Sequence, residues 1–97
     1  MKRIPKFAKL TFVRYTLDSK FGNRGCNCIV QGTFSDWYPD RSEDIDNYAL
    51  YVVKDDKIAG ILVWCFHSDI EMLPVQDRTR AESLVNDYLA DKALEDI

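Results

Sequence analysis

The sequence predicts an α+β domain, a roughly four-stranded, mostly antiparallel sheet with one C-terminal helix packed on one face. Three observations carry that expectation. Two apolar runs, residues 48–53 and 58–66, flank Lys54, Asp55, Asp56 and Lys57, which is the pattern of a β-hairpin. Two earlier runs, 7–17 and 26–34, are rich in β-branched and aromatic residues. The last twenty residues alone repeat apolar side chains at helical spacing.

The run 7–17 reads as the first strand, and 26–34 as the second. Gly22, Asn23 and Gly25 mark a turn over 18–25 that makes these two a hairpin. Residues 35–47 break the pattern with Pro39 and read as a surface loop, with a helical turn from Ser42 as an option. The run 58–66 is apolar at nearly every position, as in a central strand covered on both faces. Thr79 and Glu82 fit a capping box that opens the helix. Ala81, Leu84, Val85, Tyr88 and Leu89 then form one apolar stripe that fails past Leu89, and the final turn, where Asp91, Glu95 and Asp96 oppose the helix dipole, is expected to fray.

Chain length bounds the rest. Residues 1–97 make a single small domain, with no room for a second core. No apolar run reaches the roughly 18 residues of a membrane span. The basic start is interrupted by Lys9 and Arg14, unlike a signal peptide. Three cysteines, an odd number, suit reduced thiols in a cytoplasmic protein. The net charge of −3 is unevenly spread. Residues 1–24 hold seven basic side chains against Asp18, and the remainder is strongly acidic.

Alternation in strands three and four puts apolar side chains on both faces, while one helix covers one face. The other face needs a cover: the 35–47 loop, a second copy forming a homodimer, or a different protein.

Few residue patterns point to chemistry. Cys26 and Cys28, like Cys65 and His67, are two apart and share a strand face. If the second and fourth strands were neighbours, these four could converge as a tetrahedral zinc set. Both spacings are shorter than in zinc knuckles, so core packing without a metal is the preferred reading. Cys65 and His67 are also about 6.5–7 Å apart along a strand, too far for a nucleophile and its base. With one histidine and four glycines, the chain has no phosphate loop, nucleophile elbow or zinc-protease motif. It reads as no enzyme and as needing no cofactor.

Residues 51–63 (YVVKDDKIAGILV) resemble the central hairpin of N-acetyltransferases. The glycine loop that holds the coenzyme A pyrophosphate in that family has no counterpart here, and no functional residue is carried over.

The loop is the more informative segment. Trp37 and Tyr38, residue types enriched at binding hot spots, stand among Asp36, Asp40, Glu43, Asp44 and Asp46. Asp36, Trp37, Tyr38, Asp40 and Asp44 are therefore the expected partner-binding residues. The function expected is that of a small acidic, non-enzymatic protein that binds and inhibits or modulates a larger one. A phage-type inhibitor of a host defence or nucleic-acid-processing enzyme fits best, its target a basic nucleic-acid-binding protein. An immunity protein against a cognate toxin is the nearest alternative. A third reading is a small RNA- or DNA-binding module using the basic N-terminal strand, where Phe7, Phe12, Tyr15 and Phe21 could stack on bases.

Overall fold

The computed structural model describes residues 4–16 and 25–95. Among the described residues there are five strands: β1 (Phe12–Tyr15), β2 (Cys26–Thr33), β3 (Asn47–Lys54), β4 (Lys57–Phe66) and β5 (Ile70–Met72). A short helix, α1 (Phe34–Trp37), follows β2, and the long helix α2 (Arg78–Glu95) ends the described chain. All pairings are antiparallel, in the order β4-β3-β2-β1-β5. The fold class is thus the expected one, with five strands in place of four. The extra strand is three residues long, too short for its alternation to register in the sequence.

The sheet covers its own second face. β4 and β5 lie at opposite edges, yet only the 3-10 turn His67–Asp69 separates them. The step from Phe66 to Ile70 can span at most about 14 Å. Edge strands of a flat five-stranded sheet would stand roughly 19 Å apart. The sheet must therefore curl into a half-closed barrel. The packing agrees, since Cys65 on β4 shares one apolar cluster with Cys28 on β2, Val13 on β1 and Ile70 on β5.

Inside the barrel Val13, Cys28, Val30, Leu50, Val52, Cys65 and Ile70 form one core. Phe7 joins them from the segment before β1, its ring edge-on to Tyr48 at 5.6 Å. The Phe7 amide donates to the Tyr48 hydroxyl at 3.0 Å. Outside, Ala81, Leu84, Val85 and Tyr88 of α2 pack on Phe12, Ile29, Tyr51 and Ile61. The inner face, for which the sequence suggested a cover by the 35–47 loop, a second copy or another protein, is lined by the curled sheet itself and by Phe7.

Two further expectations are corrected. β4 is an edge strand, not a central one, and its apolar run divides between the barrel interior, the contact with α2 and open surface. The start of α2 is capped by Asp77 rather than Thr79, its carboxylate accepting from the Arg80 amide at 3.0 Å. The Arg80 guanidinium then reaches Asp56 at 2.8 Å and lies over the Phe12 ring, fixing the helix to the β3–β4 turn. That turn is as expected, with Asp55 and Asp56 both at positive φ, 51° and 59°. Helix α2 is continuous to Glu95, so the final turn is helical through the last described residue, and Leu89, expected on the buried stripe, is exposed like Leu94. Most of the 18–25 turn lies outside the described residues. No helix among the described residues is long and apolar enough to cross a membrane.

Candidate functional site

The segment between β2 and β3 is not a free loop but a locked platform. Thr33 opens α1, and the Asp36 carboxylate turns back to accept from the Thr33 amide at 3.0 Å and its hydroxyl at 3.3 Å. This satisfies a donor that a helix start would otherwise leave orphaned. The next turn, Pro39–Arg41, is closed from the far side by Asp44. The Asp44 carboxylate accepts from the amides of Asp46 and Asn47 and from the Asn47 side chain, and pairs with Arg41 at 3.5 Å. The Asp44 carbonyl takes the Ser35 amide at 2.9 Å. Of the five expected partner-binding residues, Asp36 and Asp44 also hold the platform together, Asp36 while remaining exposed.

Trp37, Tyr38 and Asp40 stand at the surface, with Trp37 53% and Tyr38 47% exposed. The two rings wall an apolar cavity of about 210 Å³, with Phe34 behind them. Its floor comes from three strands: Gln31, Ala49, Ile61 and Val63. The cavity lies on the sheet face that carries α2, at the part of that face which α1 covers instead.

Gly32 makes this approach possible. A Cβ there would sit 2.9 Å from the Asp36 carboxylate oxygen and 3.2 Å from the Trp37 indole nitrogen. A glycine lets the short helix settle directly on the strand.

A third aromatic residue was not singled out by the sequence. Between Tyr48↔Cys65 and Leu50↔Leu62 the register slips, so Ala49 opposes both Val63 and Trp64. Trp64 takes up the bulge at φ 62° and stays 56% exposed. Its ring meets Phe34 edge-on at 4.4 Å, and the Arg41 guanidinium lies over it at 4.7 Å. A bulky side chain in the left-handed region is uncommon, and nothing in an unbroken apolar run announces a bulge. Because glycine accepts that backbone freely, Trp64→Gly should be better tolerated than Trp64→Ala, by about 1 kcal/mol in urea unfolding. Equal losses would mean the ring contacts alone set stability there.

The cysteines do converge, but as core. Cys26 and Cys28 bring their sulfurs to 3.9 Å, and Cys65 joins the same barrel interior. Burial pushes the Cys65 thiol up to about 12, and burial with the neighbouring thiols raises Cys28 further. Protonated buried thiols are poor ligands and poor nucleophiles. β3 separates β2 from β4, so the adjacency that a set of Cys26, Cys28, Cys65 and His67 required is missing. His67 sits in the 3-10 turn with its ring against Phe66. Among the described residues, no group of three or more His, Cys, Asp and Glu is placed to hold a metal.

The nucleic-acid platform also thins. Phe7 is in the barrel core, Phe12 is under α2, and Arg14 is paired with Glu71 at 3.3 Å. Phe21 lies outside the described residues. Compared with protein-family models, curated proteins and solved structures, the chain matches none.

Proposed function

We propose that this chain is a non-enzymatic binding domain that grips a larger protein and inhibits or modulates it. The observation that carries this reading is the pair of exposed rings, Trp37 and Tyr38, walling an apolar cavity on a hydrogen-bonded scaffold, with the exposed Trp64 ring packed on the Phe34 that also lines it. Large aromatic side chains left in water bring binding energy when a partner covers them. Holding them in place beforehand reduces the ordering cost of association. The exposed carboxylates of Asp40 and Glu43 beside the rings would steer a basic partner. An inhibitor of a nucleic-acid-processing enzyme, of the kind phages direct against host defence, combines these properties, and a cytoplasmic site of action goes with it. An immunity protein would use the same surface and is told apart by its target.

The experiment is affinity capture from a bacterial lysate, followed by binding measurements with the partner identified. Tyr38→Ala should weaken binding by more than about 1 kcal/mol with little change in melting temperature, because the ring is half exposed. Asp40→Asn should slow association, with a deficit that shrinks as salt rises. Normal binding by Tyr38→Ala would remove this surface from the interface.

A further inference from the structure

We infer that the cavity walled by Trp37 and Tyr38 receives one apolar side chain, leucine to phenylalanine in size, from a partner segment with lysine or arginine on either side. This rests on the binding-domain reading above and names the chemistry of the segment bound.

Size comes first. At about 210 Å³ the cavity is smaller than the ~300–1,000 Å³ clefts that enclose small molecules. One side chain fits such a space. A cleft of about 460 Å³ between the β3–β4 turn and the start of α2 is larger, but three of its four charged side chains, Asp56, Asp77 and Arg80, are engaged with the protein itself. There Asp56 holds Arg80 and Asp77 caps the helix.

Polarity comes second. Gln31, the Tyr38 hydroxyl and the Trp37 indole N–H are the polar side-chain groups of the lining, none of them charged, and the floor residues Ala49, Ile61 and Val63 are aliphatic. A cation buried there would lose its hydration without an ionic partner, whereas an aliphatic or aromatic group loses nothing.

Charge around the mouth comes third. Residues 35–46 carry five carboxylates against Arg41, and Arg41 is held by Asp44 and Trp64. Near Gly32 the Lys9 side chain offsets Asp36 in part. Asp40, two residues from Tyr38, and Glu43 are exposed carboxylates of the same segment. Cationic residues next to the inserted side chain meet those carboxylates and the open ring faces of Trp37 and Tyr38.

The test uses three capped pentapeptides, Lys-Lys-Leu-Lys-Lys, Lys-Lys-Gly-Lys-Lys and Glu-Glu-Leu-Glu-Glu, titrated into the whole protein. The readouts are the indole N–H of Trp37 and the amides of Ala49 and Ile61 in two-dimensional NMR. The basic leucine peptide should move all three signals. The glycine peptide should bind roughly ten-fold more weakly, the difference expected for burying one leucine. The acidic peptide should be weaker still, and added salt should narrow its gap to the basic one. Tyr38→Ala should abolish the response at Trp37. Equal binding of the leucine and glycine peptides would overturn the cavity as the receptor. Equal binding of the basic and acidic peptides would overturn the charge preference. A Trp37 signal that shifts with protein concentration alone would assign the cavity to a second copy of this chain. Failure of all three peptides, with Tyr38→Ala still blocking the captured partner, would sink this inference and leave the binding reading standing.

Discussion

Leu50→Ala is expected to lower stability by about 2–5 kcal/mol, whereas Leu94→Ala should stay within about 0.5 kcal/mol of the parent. Leu50 is fully buried in the middle of β3, opposite Val30 on one neighbour and Leu62 on the other. Its side chain points into the curled sheet, whose hydrogen-bonded strands cannot close onto a cavity as a lone helix could. The loss should therefore fall in the upper half of that range. A domain of this size holds only about 5–15 kcal/mol in total, so the midpoint of urea unfolding should fall by a large fraction. Leu94, on an exposed face of α2, is the matched control. Similar midpoints for the two variants would show that the barrel interior is not a closed core.

How much of this was legible in the sequence depended on whether the signal was local. The β3–β4 hairpin announced itself because Asp55 and Asp56 are tolerant of positive φ and sit between two apolar runs. The α2 stripe of Ala81, Leu84, Val85 and Tyr88 was visible for the same kind of reason. Its cap was placed two residues late, since Thr79 with Glu82 offers a motif and Asp77 only an acid. Curvature was not visible at all. Residues 58–66 look buried on both faces whether the strand is central in a flat sheet or an edge in a curled one. What decides between them is the three-residue link at His67–Asp69, whose meaning depends on which strands it joins.

The candidate site was half legible. Trp37 and Tyr38 could be found by residue type alone, but the acids around them could not be sorted by composition. Thr33 and Asp36 already had the spacing of a capping pair, a signal that would have shown Asp36 to hold the platform together. Asp44 gave no such hint, because its partners Arg41, Asp46 and Asn47 are defined only once the turn has formed. Val63 reaches the cavity floor, and Trp64 the back of Phe34, through a bulge that an apolar run conceals.

Gly32→Ala should be costly at both the fold and the site, with a loss of about 2–3 kcal/mol in urea unfolding. Gly32 has φ 156°, a value L side chains rarely adopt, which alone accounts for part of that figure. Its position beneath α1 accounts for the rest. An added methyl would press on the Asp36 carboxylate and on the Trp37 indole, so α1 would have to lift from β2. Lifting breaks the bond from the Thr33 amide to Asp36 and moves the Trp37 wall of the cavity outward. Asp36→Ala separates the two contributions, since it removes the cap without adding bulk and should cost about 1 kcal/mol. The Trp37 indole N–H signal should shift strongly in Gly32→Ala and only modestly in Asp36→Ala. In Gly32→Ala the basic leucine peptide should also bind more weakly, because its receptor has lost a wall. Equal stability of the two variants, with an unmoved Trp37 signal, would mean that Asp36 and Trp37 swing aside freely. The platform would then be mobile, and the preorganisation that the binding reading depends on would be absent.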